Sequence, residues 1–330
     1  MGARCWSGAL SLPLVSAGQL TYEASVDKPE LYGMVPAGTH KVEYQLWVPE
    51  GAGTLRYALV IFPSDLGDSR GEARKPEWQE FAKEQRCAIL TCKVSKKKDG
   101  GALYEKAENW FGKATLETLR ELAMASQQPE LADAPLLLWG DGEAAADTSY
   151  SVANWRPSRV AAFVANRLGG KATSAPRDSM LRVPGLIAGE EKDRERMRGI
   201  YNAGQEHGAH WCFAIVAQPE VGGEKVNRVE ITIAGKDYSL EPERQFNAKR
   251  TFLLGTAFLR GVMGYREILA ADKLDCSWLG DLTDGAIRAK EPNAIGRPID
   301  HMAAQPGFCQ DLAGVCDGER MTVKSTKVNS

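Results

Sequence analysis

The residues around Gly142 have the pattern of a turn that could hold a catalytic nucleophile. The apolar run 135–139 predicts a strand, and the alanine-rich segment after Gly142 predicts a helix. A strand–turn–helix of this kind carries the motif G-x-S-x-G in enzymes whose serine attacks an acyl group. The corresponding residues here are Gly140, Asp141, Gly142, Glu143 and Ala144. Glycine therefore stands at the serine position, and it has no side chain that could form an acyl intermediate.

Other side chains near this turn could supply a nucleophile instead. Shifting the alignment by one residue puts Glu143 at the nucleophile position and Asp141 at the first glycine. A carboxylate can act as a nucleophile, but this alignment places a residue other than glycine in a strained turn. Three further alternatives are Asp141 itself, Asp147 and Ser149.

The elements that would position this turn alternate between apolar strands and amphipathic helices. The predicted strands are residues 20–25, 41–48, 55–62, 87–94, 135–139, 160–165, 183–188 and 211–217. The predicted helices are residues 76–85, 105–126, the segment after Gly142, and residues 194–206. This alternation predicts an α/β fold, a three-layer sandwich in which a mainly parallel central sheet has helices on both faces.

Beyond residue 225 the pattern changes. Residues 229–233 and 236–238 predict a hairpin, residues 242–269 predict a long helix, and residues 270–330 are rich in turns. We therefore divide the chain into a possible signal peptide (1–17), a core (18–225) and an extension (226–330) that packs on the core.

Residues 40–225 resemble the α/β-hydrolases, most closely the secreted esterase-like branch. The resemblance rests on the strand 57–62, the pattern Trp78-x-x-Phe81-Ala82, the turn at Gly142, and the stretches 155–164, 183–189 and 208–218. It implies a serine, an acid and a histidine in this chain order, with the histidine as general base and the acid holding its orientation.

The acid that the resemblance implies is available, whereas the histidine is missing. Glu190, Glu191 and Asp193 follow the strand that ends at Ala188, and any of the three could serve as the acid. The histidine is expected just after the strand 211–217, where Gly223 is nearest to its place. Two of the three catalytic side chains are thus replaced by glycine.

The four histidines of the chain offer few substitutes. His40 precedes the second predicted strand, and His207 and His210 flank the start of a core strand, opposite the expected site. His301 lies in the irregular C-terminal part and could fold back over the sheet. We interpret all four as surface or structural residues, with His301 as the fallback base beside Glu143 and Asp193.

Acidic residues are the other group that could do chemistry. The segment 64–71 should form the oxyanion hole, yet it contains Asp65 and Asp68, which would oppose a developing negative charge. Together with Asp141 and Glu143 they could converge at the carboxyl ends of the strands and bind Ca²⁺ through oxygen ligands. The alternative is an acidic rim exposed to solvent.

Composition narrows the choice of partners. The 330 residues are 43% hydrophobic and 25% charged, with a formal net charge of -2, which is ordinary for a globular protein. This charge gives no reason to expect a nucleic acid or an anionic membrane as partner, and no apolar run reaches the ~20 residues of a membrane span. The basic run 96–98 is interpreted as a solvated loop. A small molecule or a protein is the expected partner.

The amino terminus and the cysteines favour export. Residues 1–17 have the form of a short secretory signal that ends in Val15-Ser16-Ala17. Its removal leaves six cysteines, and we expect a disulfide between Cys309 and Cys316. Cys87, Cys92 and Cys212 lie on predicted core strands, where buried free thiols are expected, and no cysteine spacing suggests zinc. The protein is therefore predicted to be secreted or periplasmic, with the cytoplasm as the alternative.

Three functions remain open from the sequence. The first is a catalytically degenerate hydrolase-fold protein, a pseudoenzyme, with a binding or structural role. The second is an unorthodox carboxylic-ester hydrolase that uses Glu143 or a differently placed triad, and the third is a metal site at the acidic residues. Loss of both serine and histidine favours the first, because the ordinary mechanism needs both.

Overall fold

The protein is described from a computed structural model. It describes residues 11–16, 19–26, 39–64, 67–96, 107–169, 176–217, 220–221, 224–225, 228–233, 236–240, 250–270, 278–280, 287–289 and 323–324. The chain forms two compact units, residues 1–160 and 161–330.

The first unit is built on six strands. They are β1 (Ser11–Ser16), β2 (Gln19–Val26), β3 (Thr39–Val48), β4 (Tyr57–Ile61), β5 (Cys87–Lys96) and β6 (Leu136–Asp141). Their order is β1-β2-β3-β5-β4-β6. The pairs β1–β2, β2–β3 and β3–β5 are antiparallel, whereas β4 pairs in parallel with β5 and β6. β4 and most of β6 are fully buried, as strands covered on both faces must be.

Three helices cover the two faces of this sheet. They are α1 (Pro76–Gln85), α2 (Ala107–Ala125) and α3 (Glu143–Trp155). On α1, the ring of Trp78 meets that of Trp139 on β6 edge-on, with centroids 4.7 Å apart. On α2, the ring of Phe111 lies 5.9 Å from that of Phe62, which follows β4. Since Ile61 pairs with Trp139 and successive strand residues point to opposite faces, α1 and α2 lie on opposite faces of the sheet.

The second unit begins within β7 (Val160–Asn166). Its other elements are α4 (Asp178–Leu181), β8 (Gly185–Glu190), α5 (Arg194–Glu206), β9 (Trp211–Ala217), β10 (Glu220–Val221), β11 (Glu224–Lys225), β12 (Arg228–Ile233), β13 (Lys236–Leu240), α6 (Arg250–Ala270), β14 (Trp278–Gly280), β15 (Ile287–Ala289) and β16 (Val323–Lys324). β7, β8 and β9 pair in parallel. β12, β13 and β16 extend this sheet beyond β9 as antiparallel strands.

Small residues let α5 pack closely on β8 and β9. A methyl group on Gly204 of α5 would lie 2.3 Å from the ring of Trp211, and one on Gly189 of β8 would lie 2.3 Å from the Met197 side chain. The ring of Tyr201 packs against Phe213 with centroids 5.6 Å apart. The helix is therefore placed on the sheet by aromatic side chains seated against glycines.

The predicted elements are largely confirmed. The helices 76–85 and 194–206 and the strand 211–217 have the predicted limits, and the hairpin beyond residue 225 is present. Most other limits differ by one or two residues, and three differences bear on the residues discussed above. β1 was not predicted and falls within the expected leader; β3 begins at Thr39, so His40 lies inside it; and α6 begins at Arg250, with the predicted residues 242–249 outside the described part.

The strand orders identify the fold class. In the first unit β5 lies between β3 and β4, and in the second unit three parallel strands follow one another, with helices in the connections. These are the strand order and connections of an α/β-hydrolase-like fold, as predicted. The hairpin of β12 and β13, predicted to pack on the core as an extension, pairs directly with β9. Of the helices in the described ranges, none is both long and apolar enough to cross a membrane.

Candidate functional site

The sharp turn at Gly142 is present where the sequence predicts it. β6 ends at Asp141, α3 begins at Glu143, and Gly142 between them has φ 99° and ψ 152°. This backbone conformation is essentially restricted to glycine. The Gly142 carbonyl accepts the first helical hydrogen bond, from the Ala146 N–H at 2.8 Å. Gly142 thus forms the turn between β6 and α3 through a backbone conformation that a side chain would disfavour.

Gly140 determines how closely α3 approaches β6. A methyl group on Gly140 would lie 2.2 Å from the carbonyl oxygen of Ala145 and 2.7 Å from the Cα of Ala146. Both obstacles are backbone atoms, so they cannot move aside without shifting the helix. The close packing of α3 on β6 therefore requires glycine at position 140.

The alternative nucleophiles lie beside this turn or inside α3. Glu143 is the first helical residue and its side chain is exposed, and Asp141 is partly exposed at the end of β6. Asp147 and Ser149 lie further along α3 and are 6% and 0% exposed. Only Asp141 and Glu143 border Gly142, and both are acids.

The segment between β4 and α1 was predicted to form the oxyanion hole. Two neighbouring residues, Asp68 and Ser69, hold it in place. The buried Ser69 hydroxyl accepts a hydrogen bond from the Cys92 N–H at 3.0 Å and lies 2.8 Å from the Ile61 carbonyl oxygen, to which it can donate. The Ser69 N–H donates to the Cys92 carbonyl oxygen at 3.0 Å. Ser69 therefore ties this segment to the end of β4 and to β5.

Asp68 in the same segment is paired with Arg70. The guanidinium donates to the two carboxylate oxygens at 2.8 and 2.7 Å, and the Arg70 N–H donates to the carboxylate at 3.0 Å. These bonds stabilise the ionised form and lower the pKa of Asp68 below its ordinary value. Arg70 also lies 4.0 Å from a carboxylate oxygen of Glu43 on β3. The Asp68 carboxylate is thus already paired with the guanidinium of Arg70 from the same loop.

A metal site was predicted from Asp65, Asp68, Asp141 and Glu143. Asp65 lies outside the described residues, and Asp68 is held by Arg70. Within the described ranges, no three histidine, cysteine, aspartate or glutamate side chains come together as metal ligands would. The calcium site therefore stays a prediction.

The three candidate acids after β8 all have basic partners in their own segment. Lys192 contacts Glu190 at 3.0 Å, and Arg196 contacts Asp193 at 2.8 Å. Arg194 donates two hydrogen bonds to Glu191, at 2.6 and 2.5 Å, and these lower the pKa of that carboxyl. Each acid therefore forms an ion pair with a basic residue two or three positions further along the sequence.

The chain after β9 forms a hairpin where a hydrolase would carry its histidine. Glu220 pairs with Lys225 and Val221 with Glu224, so only Gly222 and Gly223 separate β10 from β11 in the sequence. β12 then returns antiparallel along β9, with Arg228 beside Ala217. Gly-Gly between short strands is a hairpin signal, which accounts for Gly223 at this position without reference to a replaced histidine.

Of the described histidines, His40 alone lies at the carboxyl end of a parallel strand, because its neighbours Thr39 and Lys41 pair with Lys96 and Ser95 at the end of β5. His40 lies in β3, at the irregularity between Thr39 and Lys41 in the pairing with β5. His207 follows α5, is exposed, and has its Nδ1 2.9 Å from the Ala203 carbonyl oxygen. The His210 carbonyl accepts from the Gly185 N–H at 3.1 Å, which puts His210 at the amino ends of β8 and β9. His301 lies outside the described residues.

Comparison with known proteins gives similarity to solved structures only. The sequence matches no family model, and no curated protein matches it. An acetyl xylan esterase from Paenibacillus sp. R4 matches with a TM-score of 0.41 and 12% identity, over 67% of this chain and 84% of that chain. An S-formylglutathione hydrolase from Agrobacterium tumefaciens matches with a TM-score of 0.40 and 11% identity, over 63% and 90%.

A thermostable esterase matches with a TM-score of 0.40 and 13% identity, over 60% of this chain and 64% of that chain. Matches this distant carry no information on activity, so the fold class depends on the strand order and connections described above. On that ground the chain has an α/β-hydrolase type of fold.

Proposed function

We propose that this chain is a catalytically degenerate α/β-hydrolase-fold protein with a binding or structural role. The observation that carries the proposal is Gly142 at the turn between β6 and α3, with φ 99° and ψ 152°. A hydrolase carries its serine on a strained turn of this kind, whereas the residue here is glycine, which offers no atom that could attack an acyl group.

The segment after β9 supports the same proposal. A general base must come within hydrogen-bond reach of the nucleophile, and in this fold it would follow β9. The chain there forms the paired strands β10 and β11, and Gly222 and Gly223 are the only residues between these two strands in the sequence. Neither glycine can accept a proton. With the nucleophile and the base both absent, only the residual catalysis of a partly dismantled triad is expected.

The alternative is an ester hydrolase that uses Glu143. Its carboxylate is exposed at the amino terminus of α3, beside the turn. The alignment that makes it the nucleophile puts Asp141 in the place of the first glycine. The close approach of the helix occurs at Gly140 instead, and we therefore rank this alternative second.

Labelling and turnover together test the proposal. We expect no fluorophosphonate labelling of any serine in the purified chain, and no turnover of short-chain nitrophenyl esters above the rate of a heat-denatured sample. The variants Glu143→Gln and Glu117→Gln, the latter at an exposed site on α2, form a matched pair. Turnover that Glu143→Gln abolishes and Glu117→Gln preserves would establish the hydrolase alternative. Labelling of one serine, lost on its change to alanine, would refute the pseudoenzyme.

We further propose that the protein is exported and is therefore secreted or periplasmic. The alternative is that it stays in the cytoplasm. Export is supported by the signal-like residues 1–17 and by the six cysteines that would remain. Residues 11–16 of this leader form β1, which pairs with β2. Cleavage after Ala17 would therefore leave β2 as the outer strand of the first sheet.

A further inference from the structure

The outer strand of the first sheet has features that protect a sheet edge. β1 lies at the end of the described strand order, next to β2. Its register with β2 shifts between Ser11 and Leu14, and Pro13 lies within that interval. A proline and an irregularity of the ladder both hinder the pairing of an outer strand with another chain. β1 is therefore suited to be the last strand of a sheet.

β2, the next strand, is not protected in this way. Its eight residues include no proline and one charged residue, Glu23. Its pairing with β3 runs from Leu20 beside Val48 to Val26 beside Val42 without a shift in register. A regular strand with so little charge is a template for another strand wherever its outer side is open. The protection of this sheet edge therefore depends on β1.

The register shows which backbone groups of β2 face β1. Ser16 pairs with Gln19, and only residues 17 and 18 separate them in the sequence. In a hairpin this short, the two residues that flank the connection form a hydrogen-bonded pair. Hydrogen-bonded and other pairs alternate along an antiparallel ladder, so Leu14 and Thr21 form the next hydrogen-bonded pair. The backbone groups of β2 that point towards β1 are those of Gln19, Thr21, Glu23 and Ser25.

We propose that residues 11–16 cap the edge of β2, and that their release allows β2 to pair with β2 of a second copy of this chain. Release follows from the export proposed above, because a signal peptidase would hydrolyse the Ala17–Gly18 peptide bond and so separate β1 from β2. Only this release step rests on the proposed function. An antiparallel pair of identical strands has two-fold symmetry, so the contact is complete with two copies.

The alternation of side chains along β2 fits a second copy of the same strand. Tyr22 and Ala24 are buried, at 8% and 5% exposure, whereas Thr21 and Glu23 are polar and only half-buried. A strand added to this edge must match the apolar residues on one face and the polar residues on the other. β2 of a second copy has this alternation, so each face of the sheet continues across the contact.

The charge on Glu23 selects the register of this contact. Residues opposite each other point to the same face of a sheet, so a residue near the middle of β2 must lie opposite its own copy. Glu23 opposite Glu23 brings like charges together, whereas Tyr22 opposite Tyr22 forms an aromatic pair. We therefore expect the register centred on Tyr22. It places Thr21 of each copy opposite Glu23 of the other, and both residues have outward backbone groups.

Proline substitutions in the full chain test the cap without any cleavage. Leu14→Pro removes a backbone donor from the ladder between β1 and β2 and should detach β1. Leu12→Pro is the matched control, because residue 12 lies in the interval where the register shifts and has no partner in that register. Light scattering after size-exclusion chromatography measures the mass of each variant. We expect the mass of one chain for the wild type and Leu12→Pro, and twice that mass for Leu14→Pro.

A pair of charge variants tests the register. Thr21→Lys and Thr21→Glu are each combined with Leu14→Pro. In the expected register, lysine at position 21 lies opposite Glu23 of the second copy and attracts it, whereas glutamate repels it, and each contact occurs twice in the dimer. We expect the dimer of the glutamate variant to have a Kd at least roughly tenfold higher than that of the lysine variant.

Three results would overturn the proposal. The first is an equal mass for the wild type and Leu14→Pro. The second is an equal Kd for the lysine and glutamate variants, because the contact would then not bring position 21 opposite Glu23. The third is loss of the circular dichroism signal in Leu14→Pro, which would make β1 necessary for folding. Export and hydrolase activity are measured separately, by intact mass and by ester turnover, so their failure is distinguishable from failure of the pairing.

Discussion

Gly140 lies so close to Ala145 that a methyl group on its Cα would be 2.2 Å from the Ala145 carbonyl oxygen. The strand that leads to the turn and the helix that leaves it are therefore in contact through backbone atoms. This contact fixes how β6 and α3 meet at the turn. It also accounts for glycine at position 140 without any reference to catalysis.

Substitution of Gly140 by alanine tests this contact. We expect Gly140→Ala to lower the free energy of unfolding by about 3 kcal/mol, because the new methyl group can be accommodated only if α3 shifts. Urea denaturation followed by circular dichroism measures the change. The control is Gly199→Ala in α5, where nothing lies within 4 Å of the added methyl group. That variant should gain about 0.5–1 kcal/mol, and a similar small effect at position 140 would contradict the packing argument.

The conformation of Gly142 leads to a second prediction. With φ 99°, Gly142→Ala should be destabilised by about 1–3 kcal/mol through backbone strain alone. Gly142→Ser should lose a similar amount and still show no ester turnover, since Gly222 and Gly223, which follow β9 where a base is expected, cannot accept a proton. A serine variant that gained turnover, or an alanine variant of unchanged stability, would show that the turn differs from the one described.

The pairing of Asp68 with Arg70 predicts a pH dependence. The pKa of Asp68 is lower in the folded protein than in the unfolded chain. The stability that the ionised Asp68 carboxylate contributes is therefore complete above the unfolded-state pKa. It is lost as the pH falls through the lower, folded-state pKa. Arg70→Met should therefore reduce stability at pH 7, and the difference from wild type should shrink below about pH 4. Because the Asp68 side chain is 40% exposed, solvent screening limits the effect to about 1 kcal/mol or less.

Urea denaturation at a series of pH values measures this dependence. Arg120→Met provides the control, because Arg120 and Glu117 form an exposed pair on α2, with both side chains at least half exposed. It should change stability little at any pH. A difference between the wild type and Arg70→Met that stays constant from pH 7 to pH 2.5 would show that packing alone causes it.

Intact-mass measurement tests export and the disulfide. Cleavage near Ala17 should remove the leader, and a Cys309–Cys316 bond should lower the mass by two hydrogens. Both cysteines lie outside the described residues. Cys87, Cys92 and Cys212 are free and buried, as predicted, and burial raises the pKa of the Cys87 and Cys92 thiols. These three should react with a thiol reagent only after unfolding. A chain that retains Met1 and has seven free thiols would contradict the prediction of export.

Calcium binding has an equally direct test. If Asp65, Asp141 and Glu143 converge with Asp68, calcium should raise the melting temperature of the wild type, because it would bind the native state only. Asp141→Asn should reduce the rise, and Glu117→Gln, at an exposed acid elsewhere, should leave it intact. A melting temperature that responds neither to millimolar calcium nor to a chelator would leave these acids as a solvated rim.

The sequence by itself determined which segments are strands and helices. The period of apolar residues predicted α1, α5 and β9 to the residue, because these elements bury one face or both faces and their patterns are strong. The same patterns located the turn at Gly142. β1 was missed because its residues also fit the apolar stretch of a secretory signal.

Only the tertiary structure decided what the residues at the strand ends do. It paired Asp68 with Arg70 and made Gly222 and Gly223 the link between two paired strands. Sequence patterns report burial along one element, whereas these features depend on which strand lies beside which and where the chain leaves the sheet. Such neighbours are set by pairing between residues far apart in the chain, as with β12 along β9, and local periodicity contains no information about them.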